Sequence, residues 1–138
     1  MSKIVHPYAH RLPLIRGWKS RWFRSGSEYR DTLRADILIR EYLEKKLRTS
    51  YLSGVEFERN SKNIKIIIAT ARPGMVIGRS GEGVETLKKD IIKFLKRHKI
   101  VITEALHIDI VEVRNPDADA AIIAYSIAEQ LEKRLPFR

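Results

Sequence analysis

The chain has 138 residues, 43% of them hydrophobic and 8% aromatic, with 27 Lys and Arg against 17 Asp and Glu for a formal net charge of +10. That length suits one compact domain plus a tail around a single core, which excludes two large domains. The lack of cysteine removes disulfides, thiolate catalysis and cysteine zinc sites, and no run nears the ~18 apolar residues of a membrane span. Met1 to Arg24 has no apolar stretch of the kind a secretory signal carries, so the expected setting is a reducing interior compartment.

The charge is unevenly placed. Residues 1–24 carry six bases, Lys3, Arg11, Arg16, Lys19, Arg21 and Arg24, and no acid, whereas residues 72–99 carry eight bases against three acids and residues 100–138 are net acidic. Such a potential favours a polyanion on one side of the molecule. Nucleic acid fits better than an anionic membrane, because the bases do not share one long amphipathic helix with a broad apolar face.

In chain order, residues 1–27 read as a basic arm. They have no clean period, contain Pro7, Pro13 and Gly17, and interleave aromatic and basic residues from Trp18 to Arg24. From Glu28 to Arg48 the apolar residues Tyr29, Leu33, Ile37, Leu38, Tyr42, Leu43 and Leu47 recur at three- and four-residue steps, which predicts a helix. Val55 to Glu58 alternates as a half-buried strand does, Asn60 to Asn63 makes a turn, and Ile64 to Ile68 returns as the second arm of a hairpin. Pro73 opens a short helix running to Ile77, Gly78 to Gly81 interrupts it, and a longer helix follows. Val84, Leu87, Ile91, Phe94 and Leu95 line one face of that helix, and Lys88, Lys89, Lys93, Lys96 and Arg97 fill the others. A third strand starts near Ala105, and Asn115-Pro116 stops it. Asp117 is placed to cap a last helix that buries Ala118, Ala121, Ile122, Tyr125, Ala128, Leu131 and Leu135. The expected class is α+β, a three-stranded sheet with helices packed on one face and a basic arm in front.

The most informative segment runs from Val76 through Ile77, Gly78, Arg79, Ser80, Gly81, Glu82, Gly83 and Val84 to Leu87. A bare G-x-x-G is weak, since roughly 0.7 such pairs arise by chance in a chain this size. Here two apolar residues precede it and a helix flanks each side. Gly78 and Gly81 permit a tight interhelical loop that a sugar-phosphate chain approaches closely, Arg79 adds charge, and the following helix N-terminus favours phosphate. Glu82 and Glu85 weaken that field. The triphosphate-binding loop is excluded because no lysine follows the glycines at the required place, and the dinucleotide fingerprint because no strand enters the loop.

This segment resembles the signature of the K-homology (KH) RNA-binding domain, and the element order matches the second, prokaryotic type of that fold, assigned here to residues 28–116 with residues 117–138 as an appended helix. Val5-His6-Pro7 with Arg11-Leu12, Trp18 to Phe23, Thr70 to Gly78, Glu112 to Pro116 and Gln130 to Arg134 with Phe137-Arg138 further resemble the bacterial-type small-subunit ribosomal protein three family. The resemblance implies a structural constituent of the head of the small ribosomal subunit, in the cytoplasm or in an organelle. It would bind small-subunit ribosomal RNA, lie beside neighbouring head proteins and sit near the messenger RNA entry channel. By that likeness the RNA-binding residues are Arg72, Val76, Ile77, Gly78, Arg79, Ser80, Gly81, Lys88 and Lys89 around the loop. In the arm they are Lys3, His6, Arg11, Arg16, Trp18, Lys19, Arg21, Trp22 and Arg24. The family has a second domain beyond this part, so helicase activity is not carried over.

A free-standing KH regulator of single-stranded RNA is the alternative, and a small regulator has no need of a basic aromatic arm. No nucleophile, base and orienting group share a recognisable spacing, so no enzyme, cofactor, metal or small-molecule substrate is expected. His6 and His10 lie beside Pro7, outside any predicted helix, and Asp117 with Asp119 reads as a cap and a first-turn acid rather than a catalytic pair. Lys62 and Lys65 stand at the hairpin either as flanks of the RNA cleft or as strand-edge charges.

Overall fold

The computed structural model describes residues 5–12, 14–60, 62–100 and 104–135. The chain runs α1 (Pro7–His10), β1 (Ser20–Arg21), α2 (Gly26–Lys46), β2 (Leu52–Arg59), β3 (Asn63–Thr70), α3 (Pro73–Ile77), α4 (Glu82–Arg97), β4 (Ala105–Glu112) and α5 (Ala120–Glu132). Among the described residues the sheet has four strands rather than three, in the order β1-β2-β3-β4. The added strand comes from the arm. β1 lies parallel to β2, with Ser20 opposite Phe57 and Arg21 opposite Glu58, and the Phe57 N–H donates to the Lys19 carbonyl at 2.9 Å. Two residues of alternation are too few to register as a strand in a sequence, and the open edge of β2 supplies the hydrogen bonds.

β2 and β3 form the expected antiparallel hairpin, and β3 and β4 pair in parallel with α3 and α4 as the crossover between them. Strand alternation places Val55, Phe57, Ile64, Ile66 and Ile68 in the core, where they meet Ile39, Leu43 and Leu47 from the α2 end and Leu87, Ile91 and Leu95 of α4. Each fully buried aliphatic side chain there contributes about 1.5–3 kcal/mol. The opposite sheet face mixes Glu56, Glu58, Lys65, His107 and Asp109 with Ile67, Ala69 and Val111, all exposed or half-exposed, and Lys65 is bonded to Asp109 at 2.8 Å. Lys65 is thus a strand-pairing charge.

The buried seam of α2 differs from its apolar periodicity. Ala35, Asp36, Ile39 and Leu43 are the buried residues, while Tyr29 and Ile37 face solvent. A carboxylate at the centre of the seam hides the true phase from any count of apolar residues. Asp36 is tolerated because Arg59 and Trp22 reach it, as described below.

Three further expectations are corrected. His6 caps α1, its Nδ1 accepting from the Tyr8 N–H at 3.2 Å with Pro7 at the first helical position, so this segment is helical after all. The cap of α5 is Asp119, not Asp117. Its Oδ1 accepts from the N–H groups of Ala121 and Ile122 at 2.9 and 3.3 Å, while Pro116–Ala118 forms a separate 3₁₀ turn. Finally, α5 buries Ile122 and half-buries Ala121, Tyr125 and Ala128, but Ala118, Leu131 and Leu135 are exposed. Hydrogen bonds from Tyr51 to Glu129 and from Arg48 to Glu132 hold α5 against the start of β2 alongside that one buried side chain. No helix among the described residues is long and apolar enough to cross a membrane.

Candidate nucleic-acid interface

The glycine loop is built by the meeting of two helices. Pro73 occupies the first helical position of α3, Val76 is buried in the core, and Ile77 and Met75 stay exposed beside the loop. The helix ends at Gly78, whose φ of +69° leads the chain out. A Cβ added at Gly78 would lie 3.1 Å from the Gly83 nitrogen. Arg79–Gly81 forms a single 3₁₀ turn in which Ser80 has φ 53° and Gly81 has φ 82°. Left-handed backbone at a serine costs on the order of 1–2 kcal/mol, and such strain concentrates at ligand sites. A Cβ at Gly81 would meet nothing within 4 Å, so the space above this turn is open to a ligand.

Gly81 is also the N-cap of α4 and offers no side chain to the first-turn N–H groups. The Glu82 N–H donates to the Arg79 carbonyl within the turn, and the exposed Arg79 and Ser80 stand at this helix start, where the dipole favours a phosphate. Glu82 and Glu85 sit in the same turn. The loop is thus an open glycine turn of modest positive potential at the start of a helix.

One residue of the loop was not singled out by sequence reasoning. A Cβ at Gly83 would come within 2.5 Å of the Val76 carbonyl oxygen and 2.8 Å of that of Ile77. Gly83 lets α4 cross the end of α3 at backbone contact, and this crossing shapes the loop. The available signal was a glycine inside the first turn of a helix, where it is about 1 kcal/mol worse than alanine unless packing requires it.

The other predicted residues fall into separate groups. Arg72 is exposed, but its guanidinium stacks on the Tyr51 ring, 4.2 Å from the centroid, and its N–H donates to Thr70 Oγ1 at 3.2 Å. Lys88 is half-buried on α4 and Lys89 is exposed. In the arm, Arg16 and Lys19 flank the Tyr8 ring and line a groove of about 860 Å³ together with Arg40 and Ser53, while His6 and Arg11 are exposed on α1. Trp18 is 62% exposed and Phe23 89%, and among the described residues neither ring packs on another aromatic side chain. Lys3 lies outside the described residues.

Arg21, Trp22 and Arg24 are engaged by the domain itself. Arg21 pairs with Glu58 at 2.7 Å and with Glu56. The Trp22 Nε1–H donates to Asp36 Oδ2 at 2.8 Å, and Arg24 donates to Glu104 Oε1 at 3.0 Å. Arg59, its side chain only 5% exposed, joins the two acids, donating to Asp36 Oδ1 at 2.9 Å and to Glu104 Oε2 at 3.0 Å. Burial pushes the Asp36 carboxyl up, against the guanidinium of Arg59 and the Trp22 N–H that pull it down. This network rivets the end of the arm to α2 and β2, which leaves Arg11, Arg16, Trp18, Lys19 and Phe23 as the outward-facing bases and rings among the arm's described residues.

No group of three or more His, Asp and Glu able to hold a metal occurs among the described residues.

Comparison with known proteins matches residues 38–118 to the KH domain model. The chain is 44% identical over 137 residues to the small ribosomal subunit protein uS3 of Leptothrix cholodnii, covering 99% of this chain and 46% of the relative. It is 42% identical to that of Exiguobacterium sibiricum and 43% identical to that of Caldicellulosiruptor saccharolyticus, in both cases over all of this chain and 60% of the relative. The chain therefore spans about half the length of the curated relatives it matches. With the KH model covering more than half of its residues and the strained glycine turn falling inside that match, the chain belongs to the KH domain family.

Proposed function

We propose that the chain is a structural, non-catalytic constituent of the small ribosomal subunit, bound to small-subunit ribosomal RNA and acting in translation. The observation that carries this reading is the similarity to small ribosomal subunit protein uS3 along the entire chain, arm included. The arm supplies charge and stacking surface: Arg11, Arg16 and Lys19 neutralise phosphates, and Trp18 and Phe23 offer open rings to bases or sugars. The Gly78–Gly81 turn accepts an RNA backbone at the start of α4. The folded sheet holds both at fixed positions, because β1 makes the arm's last residues part of the domain. On this reading the neighbours are proteins of the subunit head, and messenger RNA passes nearby at its entry channel.

The test is a sucrose gradient of a lysate at moderate and at high salt, blotted for this chain. Sedimentation with small subunits at moderate salt and release at high salt is the expected result, since phosphate contacts are lost as counterions compete. A chain found only in light fractions at both salt concentrations sinks the ribosomal reading and leaves the free-standing KH regulator.

A further inference from the structure

α4 buries Leu87, Ile91 and Leu95 on one side, and its opposite side carries Lys89, Lys93, Lys96 and Arg97 around a half-exposed Ile92. These residues line a shallow groove of about 560 Å³. None of the four bases makes an ion pair with a carboxylate among the described residues, whereas Arg21, Arg24, Lys46, Arg48, Arg59, Lys65 and Lys133 all do. Glu85, one turn before Lys89, does not close on it, and Asp90 is taken by Lys46.

The fold gains little from this row beyond the last-turn charges of Lys96 and Arg97 and the attraction of Lys93 to Asp90. Lys89–Lys93 and Lys93–Arg97 are like charges four apart, and Lys93–Lys96 three apart, spacings at which like charges oppose the helix. The helix dipole accounts for Lys96 and Arg97 in the last turn, but not for Lys89 and Lys93 in the middle. A row of unpaired cations kept against helix stability is explained by a polyanion outside the molecule.

The geometry also indicates its form. Cations one helical turn apart repeat every ~6 Å along a rigid rod, a rise suited to successive phosphates of one strand. The face presents no exposed Trp, Tyr or Phe ring on which an unpaired base can stack: Phe94 is half-buried and stacked on Tyr42 at 4.6 Å between centroids, and the exposed His98 at the helix end is tilted against Phe94. Single-strand sites rely on such stacking, while duplex RNA is held by its backbone and shape. We propose that the outer face of α4 is a second RNA-contact surface, distinct from the glycine loop, that takes the phosphate backbone of double-stranded RNA. It rests on the reading of this chain as an RNA-binding protein but not on the ribosome as its location.

The experiment uses the full chain with two fluorescent probes, a blunt RNA duplex of about 20 base pairs and a single-stranded RNA of equal length, titrated at several salt concentrations. The variant Lys89→Gln/Lys93→Gln/Lys96→Gln is expected to bind the duplex at least tenfold more weakly, with a log–log salt slope shallower by about 2–3. Its single-strand affinity is expected to change less than threefold. Lys89→Arg/Lys93→Arg/Lys96→Arg keeps the charge and is expected to keep duplex binding. Gly81→Asp is expected to weaken the single strand and spare the duplex. Duplex affinity and salt slope unchanged in the glutamine variant overturn the proposal, as does an equal loss on both probes. Loss of single-strand binding in Gly81→Asp together with an unaffected glutamine variant upholds the loop and rejects the α4 face. The converse result upholds the face and rejects the loop.

Discussion

The cluster around Arg59 gathers two basic residues and the outer face of α4 four, and the fold uses them in opposite ways. Arg24 and Arg59 sit among Asp36, Glu104 and Trp22, where each charge has a hydrogen-bonded partner and Arg59 and Asp36 are almost fully buried. Lys89, Lys93, Lys96 and Arg97 stand in solvent with no ion-pair partner among the described residues and repel one another. A count of bases along the sequence does not distinguish the two groups. Pairing does, and it separates the bases that hold the arm on the domain from those left for an external polyanion.

The largest effect is expected where the buried network is broken on one side only. Arg59→Met leaves Asp36 and Glu104 without their shared partner and is expected to lower the unfolding free energy by about 3–5 kcal/mol in a urea titration. Adding Asp36→Leu is expected to restore much of it, because a buried pair replaced by apolar residues is often close to neutral. A single variant as stable as wild type breaks the contrast with the α4 face.

Gly83→Ala comes next. Its Cβ collides with two backbone carbonyls, so α3 and α4 must separate, at a cost of about 1–3 kcal/mol, with loss of single-strand RNA binding. Gly54→Ala, whose Cβ meets nothing within 4 Å, serves as the control, and its thermal midpoint is expected to stay close to wild type. Equal behaviour of the two variants removes Gly83 from the account of the loop.

Asp119→Ala is expected to cost about 1 kcal/mol at neutral pH through loss of the α5 cap. Burial raises the Asp119 carboxyl, but the Ser53 hydroxyl and the Ala121 and Ile122 N–H groups outweigh it and hold it below the ordinary value. Its contribution is therefore complete above the unfolded value of about 4 and is lost as the pH falls through the lower folded value. The gap between variant and wild type closes in acid. Asp36, raised by burial, runs the other way: what it contributes is present below the unfolded value and is lost as the pH rises through the folded one. Denaturation midpoints measured across pH for both proteins check these signs.

The smallest effect is expected on the α4 face, where the triple glutamine variant should melt at or slightly above the wild-type temperature, since it relieves like-charge neighbours. A marked drop in midpoint shows that those lysines support the fold and undercuts their assignment to RNA.

Much of the molecule was legible before folding. The alternation of Ile64, Ile66 and Ile68, the stripe of Leu87, Ile91 and Leu95 and the Val76–Gly83 segment are local patterns, set by the pleat of a strand and the pitch of a helix. The basic arm and the basic middle are facts of composition. Tertiary structure alone decided the rest. It made Ser20 and Arg21 a fourth strand, because a sheet edge needs hydrogen-bond partners irrespective of the sequence that brings them. It buried Asp36 in a seam that periodicity assigned to apolar residues, because Arg59, 23 positions away in sequence, and Trp22 satisfy it there. It moved the α5 cap from Asp117 to Asp119 through a 3₁₀ turn, and it set Gly83 where two helices touch. The partners of Ser20, Arg21 and Asp36 are distant in the chain, so neither propensity nor spacing encodes them, whereas the Asp119 cap and the Gly83 crossing are short-range contacts whose exact geometry depends on how the chain turns between helices.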